Sequence, residues 1–201
     1  MIYSLFFSLF LLVAGTDNVQ QGYKPGDQVA GFTLKNIDGK MVSLSDFPDK
    51  KGFVVIFTCN HCPFSVAYED RIIALDAKLK PLGYPVIAIN PNDPDVAPDD
   101  SFEKMMERAA EKKFTFPYLY DQTQEVARRF GALKTPHVFL LVKQGSALIL
   151  KYAGAIDDNT HEPEKVTRRY VEEAIAMIMD GKPLETSSTK AIGCSIKWKK
   201  S

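Results

Sequence analysis

Cysteine is scarce in this sequence, with three residues in 201: Cys59, Cys62 and Cys194. That excludes a disulfide-framework protein of this length. Net charge is absent too, since 25 basic residues balance 25 acidic ones. With no long block of one sign, there is no electrostatic reason to expect nucleic acid or an acidic membrane as partner. The short basic end, Lys197-Trp198-Lys199-Lys200, reads as a solvated tail. No apolar run reaches the roughly 20 residues of a membrane-spanning helix. Residues 1–15, MIYSLFFSLFLLVAG, come nearest and carry no charged side chain. Their length and the small residues Val13-Ala14-Gly15 suit a secretory signal, although no Lys or Arg follows Met1. The expectation is an exported protein, periplasmic or extracellular, working where disulfides persist. It would keep no membrane span once residues 1–15 are removed, or stay attached through them. No repeat or linker follows, so residues 16–182 read as one domain and 183–201 as a C-terminal tail. A chain of this size buries a core without disulfide staples.

What is present alternates between extended and helical patterns. Phe32–Lys35 and Met41–Leu44 flank an Asp38-Gly39 turn, a hairpin signal. Gly52–Thr58 (GFVVIFT) is a continuous apolar run that fits a strand buried on both faces. Behind it Phe64, Tyr68, Ile72, Leu75 and Leu79 recur at helical spacing. Pro85–Asn90 predicts a second buried strand, Phe102–Lys112 a helix, and Pro117–Tyr120 a short extended piece. Gln122–Phe130 predicts a helix stopped by Gly131. His137–Val142 and Ala147–Tyr152 form a hairpin through Gln144-Gly145, and Pro163–Asp180 predicts the last helix. The order gives an α/β fold: a mixed central sheet flanked by helices, with an N-terminal hairpin and an insertion after the second core strand. This is the thioredoxin-like layout.

FTCNHCPFS, residues 57–65, sits where the first core strand hands over to a helix. A helix start stabilises an anion through its unpaired N–H groups and dipole. A thiolate is the anion on offer, so Cys59 is expected to have a lowered pKa and to attack, with Cys62 resolving the mixed disulfide. Pro63 suits a first-turn position. Asn60 and His61 lie between the cysteines; a protonated His61 would favour the thiolate and tune the redox poise, the other reading being an exposed histidine with little effect. A structural zinc site needs four ligands, typically with a second close pair. Cys194, His137 and His161 offer none, so no metal is expected. Thr135-Pro136 precedes a buried strand and should mark its start. In this layout it lies across from the strand-to-helix junction, where a cis peptide before Pro136 would expose the Thr135 backbone to an incoming chain or thiol; the bare sequence reads as an ordinary strand-edge proline.

These pieces resemble a family. PGDQVAGFTLKNIDGKMVSLSDF, CNHCPFSVAYEDR, TPHVFLL and YAGAIDDN are similar to thioredoxin-like redoxins of the alkyl hydroperoxide reductase/thiol-specific antioxidant type, near the TlpA-like thiol–disulfide oxidoreductases. The resemblance covers roughly residues 23–180. CNHCP…YEDR and GCSIKW also resemble a narrower group of exported redoxins. The resemblance implies a cis Pro136 facing the motif, Cys59 as nucleophile and Cys62 as resolving cysteine. It implies a thiol or disulfide of a protein or small molecule as redox partner. Sulfur exchange needs no bound cofactor. Two departures stand out: Thr58 replaces the usual tryptophan before the first cysteine, and no acidic residue interrupts Phe53–Phe57. Glu69 and Asp70 follow on the helix and read as a solvated face.

A thiol-dependent peroxidase is the rival enzyme. Peroxiredoxins keep a threonine two residues before the reactive cysteine, whereas Thr58 adjoins Cys59. Arg71 could serve as their peroxide-polarising arginine but reads as an exposed helix residue. A non-catalytic metal-delivery or binding module is the third reading. Cys194 could be a free thiol, a resolving partner or an intermolecular link.

Overall fold

The computed structural model describes residues 22–200. The segment 1–15, read as a signal, lies outside the described residues. In chain order the strands are β1 (Gln28–Val29), β2 (Thr33–Asn36), β3 (Met41–Ser43), β4 (Gly52–Phe57), β5 (Val86–Asn90), β6 (Tyr118–Tyr120), β7 (Lys134–Thr135), β8 (His137–Gln144), β9 (Ala147–Gly154) and β10 (Cys194–Ser195). The α-helices are α1 (Pro63–Leu79), α2 (Phe102–Lys112), α3 (Glu125–Phe130) and α4 (Tyr170–Met179). Eight strands form one mixed sheet in the order β1-β9-β8-β4-β5-β6-β2-β3, and β10 pairs with β7 alone.

The apolar run GFVVIF becomes β4, in the middle of the sheet. It runs parallel to β5 and antiparallel to β8. All six of its residues are buried. Side chains alternate across a strand. Val54 and Ile56 therefore join Tyr68, Ile72, Leu75 and Leu79 of α1, with parts of α2 and α4, on one face. Phe53, Val55 and Phe57 join Val126, Ala127 and Phe130 of α3 on the other. Phe57, Phe130 and Phe139 make an edge-to-face cluster with centroids 5.2–5.7 Å apart, a favoured aromatic geometry. The expected hairpin is β2–β3. Gly39 turns it with φ at 83°, and the Asp38 carboxylate accepts from Lys40 N at 3.0 Å.

Three expectations are corrected. The last helix does not run from Pro163 to Asp180. A 3₁₀ turn, Pro163–Lys165, gives way to extended backbone at Val166, and α4 starts at Tyr170. The Asp158 side chain accepts from Thr167 N at 3.0 Å and the Asp158 N–H donates to Arg168 O at 3.2 Å, which pins the break. Glu69 and Arg71 do not face solvent: each is held in a largely buried ion pair, with Arg108 and Asp157 respectively. Third, the basic end is anchored. Lys197 O accepts from Asp93 N at 2.9 Å, and Lys199 N donates to Gln124 Oε1 at 2.8 Å. Among the described residues no helix is long and apolar enough to cross a membrane.

Candidate active site

Cys59 leaves the end of β4, where Thr58 N still pairs with Ile89 O at 2.9 Å. Cys62 is the N-cap of α1, with extended backbone (φ −62°, ψ 123°), and Pro63 follows as the first helical residue. Proline is tolerated there because that N–H has no intrahelical partner. Both cysteines are buried, Cys59 at 3% and Cys62 at 0% exposure. They meet at Thr135, which is fully buried. Its hydroxyl lies 3.3 Å from Cys59 Sγ, and its carbonyl accepts from Cys62 Sγ at 3.3 Å. The Thr135-Pro136 peptide is cis. Cys59 Sγ also faces Ser65 Oγ at 3.8 Å.

The two residues between the cysteines are tied down from below. Asp100 Oδ1 accepts from Asn60 N at 2.7 Å and His61 N at 3.3 Å. Asp100 Oδ2 accepts from Asn92 Nδ2 at 2.6 Å and lies 2.7 Å from His61 Nδ1. Asn60 donates to Asp99 O at 3.0 Å and accepts from the Tyr118 hydroxyl at 2.8 Å. The sequence reading missed Asp100, which sits in an acidic loop 40 residues away. Any positive charge on His61 is matched by this carboxylate, so the imidazole does not present an uncompensated charge to Cys59.

The sulfurs ionise as a pair. Interaction with Cys59, then with Cys194 and the Ser65 N–H, lowers the Cys62 thiol against the cost of its burial. Interaction with Cys62, then burial, then the Asp100 charge, raise Cys59. The pair therefore gives up its first proton more readily than two independent thiols would, and its second less readily. All three cysteines are free.

The surroundings weigh against other chemistries. Among the described residues Cys59, His61 and Asp100 bring possible ligand atoms within 4.8 Å of one another. The carboxylate already accepts from two backbone amides and Asn92, and a closed zinc site needs a fourth ligand. Arg71 is occupied by Asp157 at 2.8 Å and by the carbonyl of Asn159 at 2.6 Å. Behind Cys59 a cavity of about 10 Å³ is lined by Thr58, Asn60, Glu69, Arg108 and Tyr118, room for one water at most.

Residues 25–153 match the AhpC/TSA family. The chain belongs to this family. Within and around it, the chain is similar to the thiol-disulfide oxidoreductase ResA of Bacillus cereus, with 24% identity over 141 residues, 69% of this chain and 76% of the relative. It is also similar to the chloroplastic peroxiredoxin Q of Gentiana triflora, at 29% over 151 residues, 67% of this chain and 58% of the relative. Among solved structures, an uncharacterized conserved protein of Geobacillus kaustophilus superposes with a TM-score of 0.80 at 37% identity, over 88% of this chain and 93% of that one. The AhpC/TSA match spans β1 to β9 and so includes both cysteines and Thr135-Pro136, but stops before Cys194.

Proposed function

We propose that this thiol–disulfide oxidoreductase exchanges a disulfide with partner proteins or small thiols through Cys59 and Cys62, with Thr135 and Pro136 lining the point of entry. The observation that carries the reading is the convergence of both sulfurs on Thr135, each at 3.3 Å. Cys59, at 3% exposure the less covered residue of the two, attacks a partner's disulfide as its proton passes to Cys62. The partner's S–S bond breaks, one partner sulfur leaves as thiolate, and Cys59 holds the other in a mixed disulfide. Cys62 then attacks Cys59, the second partner sulfur leaves, and it takes up the proton Cys62 gives up. The partner gains two electrons and the protein becomes the Cys59–Cys62 disulfide; the reverse sequence oxidises a partner.

The spacing and the commitment of Arg71 to Asp157 favour disulfide exchange over peroxide reduction. The setting we infer is outside the cytosol, from the apolar segment 1–15 and from a chemistry that suits oxidising compartments. Insulin reduction in the presence of dithiothreitol tests the reading. Wild type accelerates precipitation and Cys59→Ser does not; equal rates would end it.

A further inference from the structure

We propose that Cys194 is a third exchange cysteine, delivered to Cys62 by a C-terminal strand that occupies the backbone edge of Thr135. The inference rests on the exchange reading of the Cys59–Cys62 pair. β10 runs antiparallel to β7 with Cys194 opposite Thr135 and Ser195 opposite Lys134. Thr135 is the residue that touches both buried sulfurs, so its partner in the ladder is brought to the same point. The Thr135 carbonyl lies 3.3 Å from Cys62 Sγ, so the ladder position of Cys194 opposite Thr135 puts it beside Cys62. Gly193 lets the tail lie flat there: a Cβ on it would stand 2.2 Å from the Thr135 carbonyl oxygen and 3.0 Å from Pro136 N. The tail is fastened on both sides of Cys194. Upstream, Thr189 N donates to Ala153 O at 3.0 Å. Downstream, Ile196 is buried, Lys197 N donates to Asn92 Oδ1 at 2.9 Å, and Trp198 stacks under Arg128 at 4.5 Å.

The edge that would pair with a partner's backbone is thus filled by the chain itself, and the residue facing the site is a cysteine. Cys194 is partly exposed while Cys59 and Cys62 are buried. Once the pair is oxidised, the Cys194 thiolate attacks Cys62 Sγ. The Cys62–Cys194 bond forms, the Cys59–Cys62 bond breaks, and Cys59 leaves with the proton that Cys194 gave up. No net oxidation occurs; the disulfide moves from a buried pair to one that includes the partly exposed Cys194. In the reduced protein burial and then Cys62 raise the Cys194 thiol, against the pull of Lys197 and Lys134. Oxidation of the pair removes the Cys62 contribution and leaves the other three.

The test is disulfide mapping of the full chain, oxidised with one equivalent of diamide, alkylated and digested with trypsin. Peptide 52–71 carries Cys59 and Cys62, and peptide 191–197 carries Cys194. In Cys59→Ser the two peptides are expected to be linked within a monomer. In Cys62→Ser that link should be about ten-fold rarer or less, because only a positioned thiol competes at high effective concentration. Free thiols or only dimeric links in Cys59→Ser would overturn the proposal, as would equal yields in the two variants. Wild type in graded glutathione buffers gives an arm that no substitution can unfold: the 52–71/191–197 link must appear at some poise, and its absence throughout overturns the relay. In Cys194→Ser the bridge within peptide 52–71 must still form. Its failure there would strike the exchange reading of the pair, not the relay.

Discussion

Asp100 takes backbone N–H groups from Asn60 and His61 on one oxygen, and Asn92 and the His61 ring meet the other. A buried carboxylate satisfied in this way fixes the loop between the cysteines and sets the sign of the local field. Its negative charge opposes a thiolate on Cys59, while the Ser65 N–H and the neighbouring thiols support one on Cys62. The consequence is a reduced protein that carries a thiolate far below the ordinary thiol value of 9.0. Absorbance near 240 nm is expected to rise with a midpoint well below the ordinary thiol value of 9.0, and that low-pH rise should be absent from Cys62→Ser. Stability follows with a definite sign. A folded-state pKa below the unfolded one contributes stability that is present above the unfolded value and lost as pH falls through the folded one. The urea midpoint of the reduced protein, relative to Cys62→Ser, should therefore fall as pH drops below the ordinary thiol value of 9.0. A difference that is flat with pH would mean that Cys62 is protonated in the folded state. None of this was legible at Cys59-Asn60-His61-Cys62 alone. The strand-to-helix position of the pair was, because it follows from local apolar pattern and proline placement; Asp100 was not, because its partners at 60, 61 and 92 are gathered only by the fold.

Helix α1 illustrates the same boundary one level up. Its core stripe of Tyr68, Ile72, Leu75 and Leu79 follows from spacing, and the structure buries all four. Spacing misplaces Glu69, which is as buried as its apolar neighbours. The reason lies on α2: Arg108 meets the Glu69 carboxylate with two bonds, Nε to Oε1 and Nη2 to Oε2, each 2.7 Å. A paired, forked geometry of this kind is what makes a buried charge tolerable. Helical periodicity counts a charge as outward whenever its partner is distant in sequence. The break before α4 was hidden likewise, since Asp158 reaches forward to Thr167 across a loop. Asp70, next in the chain, is exposed and holds only a long contact to Lys112 at 3.5 Å. Glu69→Ala is expected to cost about 2–4 kcal/mol in urea unfolding, because it removes both bonds between α1 and the Arg108 guanidinium, which keeps only Glu111 on its own helix. Asp70→Ala should change it by less than about 0.5 kcal/mol. Equal costs would remove the α1–α2 ion pair from any account of stability.

Across the whole molecule, the C-terminal tail closes the site end of the sheet. Ile196 belongs to the same apolar cluster as Phe57, Phe130 and Phe139, and Lys197 and Lys199 are bonded to Asp93, Asn92 and Gln124, residues that follow β5 and precede α3. The tail therefore joins the loop after β5, the start of α3 and the Thr135 edge, three places that meet only when the sheet is assembled. Its anchoring follows from this long-range meeting, which is why a segment of turn-forming and basic residues gave no local sign of order. Removing residues 191–201 takes away the strand opposite Thr135 while leaving every residue of β1 to α4 in place. Loss of the buried Ile196 side chain is expected to cost about 2–5 kcal/mol, so the truncated protein should melt earlier but still cooperatively. Its buried sulfurs should gain exposure at the same time. Iodoacetamide, counted by mass on peptide 52–71 under conditions where the truncated chain is folded, should modify that peptide about ten-fold faster than in the intact reduced protein, since a covered thiolate reacts only as often as its cover opens. Unchanged alkylation in a folded truncation would mean that the tail shields nothing, and that access to Cys59 and Cys62 is governed by the Thr135-Pro136 loop and the start of α1 alone.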